Sequence, residues 1–185
     1  TSLRRTMQIK KHFGEQAHIN ILRGNVDSRL KKVLNHEFSC ILLAKAGLER
    51  LGLYDKHEQN IFVLDPHFFI PSAGQGVVGI EVHANDKRLL TTLQQFSQAE
   101  LFIRVGLERL IMFLLGGDCH TSIGAYLHNK ELHVFAADYA DYLNTIIPIS
   151  DNDLSDLKKL YTINDSLFMP FFEQLCYSSV AQKVR

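Results

Sequence analysis

The sequence Gly116-Gly117-Asp118-Cys119-His120-Thr121 stands where a helical pattern gives way to a pattern of strands. Before it, residues 98–115 place apolar side chains at helical spacing, which predicts a helix with one buried face. After it, residues 122–127 and 131–136 predict a β-hairpin, and residues 144–149 predict a third strand. Predicted helices at 154–160 and 167–183 follow. Strands followed by helices are typical of an α+β unit with a three-stranded antiparallel sheet.

Cys119 is the residue of chemical interest in this turn. The neighbouring glycines leave the backbone unpacked and the thiol accessible, which favours a nucleophile or an attachment point. The alternative is that Cys119 is a small buried apolar residue, as most cysteines without a special context are.

The composition excludes several classes of protein. The 185 residues are 46% hydrophobic and 22% charged, with 20 basic and 20 acidic residues, so no overall charge favours nucleic acid or an anionic membrane. Three separated cysteines and nine scattered histidines show no metal-ligand spacing and no disulfide framework. No apolar run approaches the ~20 residues that span a bilayer, and no signal peptide is recognisable. We therefore expect a reducing, cytoplasmic location and no metal.

Towards the N-terminus, apolar runs alternate with helical segments. A helix capped by Thr1 or Ser2 is predicted to end near Phe13, and shorter helices are predicted at 27–35 and 45–52. Strands are predicted at 18–22, 40–44, 61–64 and 77–82. Strands that are apolar throughout favour a mainly parallel sheet covered on both faces, with Cys40 in the core.

Arginines fall at the starts of two of these helices. Arg4 and Arg5 stand in the first turn of the first helix, where the dipole disfavours cations unless an anion is bound. Arg23 and Arg29 flank the start of the next helix. These positions predict a site for carboxylate or phosphate, and a plain exposed basic surface is the alternative.

Five stretches together resemble the porphobilinogen deaminase (hydroxymethylbilane synthase) family, in the family's order and along most of the chain. They are Thr-Ser-Leu-Arg-Arg at 1–5, Leu-Arg-Gly-Asn-Val-Asp-Ser-Arg-Leu at 22–30, Ile-Leu-Leu-Ala-Lys-Ala-Gly-Leu-Glu-Arg-Leu-Gly-Leu at 41–53, Pro-Ser-Ala-Gly-Gln-Gly-Val-Val-Gly-Ile-Glu at 71–81 and Gly-Gly-Asp-Cys-His-Thr-Ser-Ile-Gly-Ala-Tyr at 116–126.

The resemblance implies a cytoplasmic transferase of tetrapyrrole and haem biosynthesis. Such an enzyme condenses four porphobilinogen molecules into hydroxymethylbilane, releasing ammonia, on a dipyrromethane cofactor bound through a cysteine thioether. By this resemblance Cys119 is the attachment point. Residues expected to bind the carboxylates of cofactor and substrate are Ser2, Arg4, Arg5, Arg23, Arg29 and Arg50. Further active-site candidates are Thr1, Asn25, Ala44, Gln75 and Gly76.

The resemblance also implies a domain organisation. Residues 1–71 would form most of a second domain, a partial periplasmic-binding-protein-like lobe with a mainly parallel sheet. Residues 72–97 would be a hinge and a segment returning to a first domain, and residues 98–185 would be the cysteine-bearing domain. Nothing in the chain matches the family's catalytic aspartate, so we expect a fragment that is inactive alone, from an enzyme that is usually monomeric.

Two points remain open from the sequence. Asp118 directly precedes the cysteine, where the family often has glycine, and its charge is expected to raise the pKa of the Cys119 thiol. A non-catalytic anion-binding α/β module and a structural α/β protein with a buried Cys119 are the alternative interpretations.

Overall fold

The computed structural model describes residues 2–118, 120–138, 141–163, 168–178 and 181–182. The helices before the sheet are α1 (Leu3–Phe13), α2 (Val26–Leu34), α3 (Lys45–Arg50), α4 (Leu53–Lys56), a 3₁₀ turn at Glu58–Asn60, α5 (Lys87–Gln94) and α6 (Ala99–Leu114). The strands and last helices are β1 (Ser122–His128), β2 (Glu131–Ala137), β3 (Tyr142–Pro148), α7 (Asp151–Ile163) and α8 (Phe168–Leu175). The predicted segment 167–183 thus contains α8, and residues 167, 179–180 and 183 lie outside the described residues.

The sheet is antiparallel, in the order β1-β2-β3, as predicted. A two-residue turn closes the first hairpin, because His128 pairs with Glu131. Asn129 and Lys130 have φ angles of 46° and 65°, the left-handed conformation that a tight hairpin turn with the twist of its strands requires. The third strand begins two residues earlier than predicted and pairs along the whole of β2.

The buried core lies under this sheet. It joins the inner face of α6 to β1, β2, α7 and α8, with Leu107, Leu110 and Phe171 fully buried. The predicted apolar face of α6 is confirmed, since Ile103 and Ile111 are buried beside them.

Helix α1 begins and ends as its sequence predicts. The Ser2 hydroxyl accepts a hydrogen bond from the Arg5 amide at 3.4 Å, and Gly14, at φ 87°, follows the last turn. The side chain of Gln8 is buried and bonds both backbone groups of Ile70, accepting from its amide at 2.7 Å and donating to its carbonyl at 2.9 Å. The Pro71 carbonyl in turn accepts from the Ala125 amide of β1 at 3.1 Å. Residues 65–71, the bridging segment, therefore join α1 to the sheet.

Four predicted strands are not strands in the structure. Residues 18–22, 40–44, 61–64 and 77–82 form no ladder, and no parallel sheet occurs in the described residues. A parallel pair requires a neighbouring strand brought back by a crossover, and here apolar side chains such as Phe62 and Val78 lie exposed instead. Cys40, predicted to be in the core, is exposed for the same reason. The helix predicted at 27–35 is α2, which begins one residue earlier, directly after Asn25.

Two further properties concern membranes and metals. No helix in the described ranges is long and apolar enough to cross a bilayer. Among the same residues, no group of three or more His, Cys, Asp or Glu side chains is arranged to hold a metal ion.

Candidate functional site

The start of α1 holds two adjacent arginines whose orientation is fixed by backbone carbonyls. Arg4 is buried and donates to the Ile70 carbonyl, and half-buried Arg5 donates to the Leu42 carbonyl at 2.8 Å. Burial, followed by the charge of Arg5, lowers the pKa of Arg4 to about 10. Both guanidiniums therefore lie in surroundings where a positive charge is costly unless an anion is present.

A third arginine belongs to the same group. Burial, and then the positive charge of Arg29, lower the pKa of Arg5, so Arg29, in the first turn of α2, lies close enough for its charge to act on that of Arg5. The Arg29 Nε donates to the Gly24 carbonyl at 2.6 Å, which fixes its side chain beside the turn. Asn25 stands exposed at this turn, and its carbonyl accepts from the Arg29 amide at 3.0 Å. The structure thus brings together Arg4, Arg5 and Arg29, which are far apart in sequence.

The remaining predicted residues lie at α3 and on the neighbouring loops. Arg50, at the end of α3, donates from Nη2 to the Gly76 carbonyl at 2.7 Å, and Ala44 is the residue before that helix. Gln75, beside Gly76, is exposed. Arg23 is also exposed, and no contact described in the structure joins it to the other arginines.

The five predicted arginines share one property. Within the described residues, none of them forms an ion pair with a carboxylate, whereas Arg104 faces Glu108 at 3.7 Å. Four of them donate one N–H group to a backbone carbonyl, and a guanidinium has five such groups. Several donors per side chain therefore remain for an external carboxylate.

The turn after α6 is ordered by Asp118. Its carboxylate Oδ1 accepts from the amides of His120 at 2.8 Å and Thr121 at 3.0 Å, and Gly116 takes a φ of 63°. The acidic residue expected only to affect the thiol therefore also stabilises the turn around it. Cys119 itself lies outside the described residues, as does Thr1.

A cavity of about 200 Å³ separates this turn from the start of α1. It is lined by Leu3, Met7, His120, Thr121, Ser122, Ala137 and Asp138. Since Leu3 directly precedes the two arginines, the cavity lies at the same end of α1 as the basic group. An apolar recess of this kind can hold the flat ring of an organic molecule.

Sequence reasoning missed several of these residues. Leu3 and Met7 lie one turn apart on α1, a spacing that indicates a shared face but not what covers it. Gln8 and Glu108 are polar residues on apolar faces, and each is buried as the anchor of a loop. Glu108 of α6 accepts hydrogen bonds from the amides of Gly74 at 2.7 Å and Leu127 of β1 at 3.2 Å. These bonds attach the loop that contains Gly74 and Gly76 to α6 and β1.

Arginines at two helix starts that form no ion pair with a carboxylate in the described residues, and an apolar recess at the same end of α1, are features that suit a protein of the class that binds small organic anions. Residues 1–91 match the family model described as "Porphobilinogen deaminase, dipyromethane cofactor binding domain". The chain is 40% identical over 138 residues to the porphobilinogen deaminase of Coxiella burnetii, covering 74% of this chain and 44% of that protein. The corresponding protein of Blochmanniella pennsylvanica is 40% identical over 131 residues, covering 71% and 42%. The chain therefore belongs to the porphobilinogen deaminase family.

The chain spans less than half the length of these curated relatives. The porphobilinogen deaminase of a Roseiflexus species gives the same result, at 36% identity over 69% of this chain and 41% of that protein. Cys119 lies beyond the residues that match the family model.

Proposed function

We propose that this chain is the cofactor- and carboxylate-binding part of a porphobilinogen deaminase. The whole enzyme would act in tetrapyrrole biosynthesis, condensing four porphobilinogen molecules into hydroxymethylbilane with release of one ammonia at each step. The observation that carries the proposal is the match of residues 1–91 to the family's cofactor-binding domain, combined with arginines that form no ion pair with a carboxylate among the residues the structure describes.

The residues present suit a dipyrromethane. Each pyrrole of such a molecule carries two carboxylates on a flat apolar ring, and a planar guanidinium pairs with a carboxylate through two parallel hydrogen bonds. Arg5 and Arg29 face each other as like charges, and carboxylates between them would remove the repulsion. The recess lined by Leu3 and Met7 offers the apolar surface that the rings require.

Each predicted residue then has a role. When bound through Cys119, the dipyrromethane supplies the primer to which pyrrole units are added. Arg4, Arg5 and Arg29 would neutralise and orient carboxylates. Arg23 and Arg50 would neutralise and orient carboxylates at neighbouring positions of the site. The rest of the site would be lined by Ser2, Thr1, Asn25, Ala44, Gln75 and Gly76. Asp118 would keep the turn around the cysteine in one conformation.

The proposed domain organisation is residues 1–71 in a second domain, 72–97 as hinge and return segment, and 98–185 as the cysteine-bearing domain. We propose that the extended residues 18–22, 40–44, 61–64 and 77–82 pair with strands outside this chain in the whole enzyme, completing a periplasmic-binding-protein-like lobe. Their exposed apolar side chains support this assignment. The catalytic aspartate would come from the same missing part, the whole enzyme would be a cytoplasmic monomer, and porphobilinogen its partner.

The attachment of the cofactor is tested by intact mass. The chain is incubated with porphobilinogen or hydroxymethylbilane, and the wild type is compared with Cys119→Ser and with Cys40→Ser, an exposed cysteine as matched control. A dipyrromethane-sized mass increase that is present in the wild type and in Cys40→Ser and absent from Cys119→Ser supports the tether and argues against a non-catalytic anion-binding module. An adduct that persists in Cys119→Ser contradicts the tether, whereas an unmodified wild type agrees with either function, because assembly of the cofactor would depend on the part of the enzyme that supplies the catalytic aspartate.

The arginine group is tested by binding of porphobilinogen, measured by calorimetry. Arg5→Gln is expected to weaken binding about tenfold or more, because a desolvated charged hydrogen bond is removed, at about 1.5–3 kcal/mol. Lys31→Gln, an exposed cation on α2, is the control and should bind as the wild type does. Turnover of porphobilinogen by the 185-residue chain alone would contradict the assignment of the catalytic acid to another part of the enzyme.

A further inference from the structure

Three imidazoles meet where the bridging segment crosses the hairpin. The ring of His67 lies 4.7 Å from that of His133 and 5.2 Å from that of His128, centroid to centroid, and both pairs are edge to face. Tyr126 completes the layer at 5.6 Å from His67 and stacks on His128. We call His67, His128 and His133 the imidazole cluster. His67 is its member from the bridging segment, and the other two belong to β1 and β2.

Two carboxylates stand at the edge of the cluster. The Asp65 Oδ1 atom lies 2.7 Å from the His67 Nδ1 and also accepts the His67 amide at 2.8 Å. The Glu131 Oε2 atom lies 3.6 Å from the His133 Nε2. His133 is buried, and its Nε2 has no hydrogen-bond partner in the described part of the chain. The cluster therefore has two exposed acidic contacts, Asp65 at His67 and Glu131 at His133, and the His133 imidazole is buried.

The bridging segment is attached to α1 on its other side. Arg4 and Gln8 bond Ile70, and the ring of His12 lies 3.8 Å from that of Phe68, with His12 Nε2 at 3.0 Å from the Phe68 carbonyl. Lys11, next to His12, places its Nζ 4.6 Å from the ring centroid of Tyr142. A change in how His67 packs on the hairpin therefore acts on the position of α1 relative to the sheet.

We propose that the imidazole cluster is a pH-sensitive latch, closed while its imidazoles are neutral and opened by their protonation, that controls how α1 docks on the hairpin. Neutral rings pack edge to face, whereas imidazolium ions at these separations repel one another. The cavity and the two arginines lie at the N-terminal end of α1, and His12 lies at its C-terminal end. Opening the latch therefore changes the distance between the arginines and the turn at 118–122.

The charged groups around these imidazoles determine whether acid stabilises or destabilises the closed latch. Burial lowers the pKa of His133, and the charges of His67 and His128 lower it further, whereas the carboxylates of Glu131 and Asp65 oppose this shift. Burial also lowers the pKa of His12, opposed by its bond to Phe68 and supported by Lys11. Since an unfolded histidine titrates near about 6.5, the stability that these neutral forms contribute is complete above that pH and is lost as the pH falls below it. Hydrogen bonds from the His67 amide and imidazole lower the pKa of Asp65. Protonation of Asp65 therefore changes the stability only at a more acidic pH.

Amide hydrogen exchange on the 185-residue chain tests the latch. Exchange of peptides that cover residues 65–71 and β1 is measured at pH 7.5 and pH 5.5, each normalised to the unfolded chain at the same pH. We expect normalised exchange in the wild type to be severalfold faster at pH 5.5 than at pH 7.5, because protonating the packed imidazoles costs free energy in the folded state. His67→Phe keeps a ring that cannot be charged, and the rise should be smaller because His133 no longer faces a second imidazolium. His18→Gln, an exposed histidine away from the cluster, should behave as the wild type does.

The quantity compared is the ratio of normalised exchange at pH 5.5 to that at pH 7.5. A variant that packs less well exchanges faster at both pH values, so its ratio can still be compared with that of the wild type. His67→Gln is the second variant, and its ratio should be reduced as in His67→Phe. A wild type whose normalised exchange is the same at both pH values would overturn the proposal. So would an acid-induced rise of equal size in His67→Phe.

Discussion

The core-forming residues within 98–178 and the extended segments within 15–82 place their apolar side chains in opposite surroundings. In the first region Leu107 and Phe135 are 0% and 1% exposed, whereas in the second Phe62 and Ile21 are 89% and 74% exposed. The first region supplies its own partners, because a two-residue turn returns the chain directly beside β1. The second contains segments of strand-like sequence without neighbours. Apolar sequence therefore gives a core only where the chain itself provides a second face.

The largest expected difference between the regions is in the cost of removing an apolar side chain. Leu107→Ala leaves a cavity in the core and should lower the free energy of unfolding by about 2–5 kcal/mol. Phe62→Ala removes an exposed ring and should change it by less than about 0.5 kcal/mol. Urea unfolding measures both, and equal costs would contradict the division of the chain into a packed and an unpartnered region.

The second prediction concerns the joint between the regions. Gln8→Ala leaves the amide of Ile70 without its partner in a buried place, at an expected cost of about 1–3 kcal/mol. Gln16→Ala is the matched control, because its side chain is exposed and bonds only the Phe13 carbonyl at the end of α1, three residues away. A cost for Gln8→Ala no greater than for Gln16→Ala would show that the bridging segment does not depend on α1.

Glu108 predicts a pH dependence that belongs to the packed region. Burial raises its pKa, against smaller lowering contributions from the amides of Gly74 and Leu127 and from Arg104. The folded state thus binds its proton more tightly, so stability falls as the pH rises from about 4.5 through the raised pKa. Stability of the wild type minus that of Glu108→Gln should therefore decrease over this range and then level off. Glu100→Gln, exposed on the same helix, is the control, and an identical decrease there would refute the prediction.

The smallest expected effect concerns the conformation of the hairpin turn. Lys130→Gly removes a side chain from a left-handed position and should stabilise the chain by about 0.5–1 kcal/mol. Lys130→Ala loses the same exposed contact with Asp151, at 2.6 Å, without relieving the conformation, and should not stabilise. Thermal unfolding distinguishes them, and a stabilised Ala variant would show that the gain has another cause.

The elements predicted correctly are those that depend on nearby residues. The cap at Ser2, the stop at Gly14, the apolar face of α6 and the hairpin each follow from residues within a few positions of one another. The four predicted strands failed because an apolar run specifies an extended segment but not its neighbour. The arginines at 4, 5 and 29 were named from the sequence, but their proximity was not a consequence of spacing.

The sequence by itself determined the local elements of this protein, its family and its set of candidate ligand-binding arginines. Dihedral preferences, caps and periodicity operate over a few residues and can be recognised without coordinates. Tertiary structure alone decided that Gln8 anchors Ile70, that Arg29 faces Arg5 and that His67 meets two histidines of the hairpin. These contacts join residues remote in the chain, and burial together with the balance of like charges depends on the distances that folding creates.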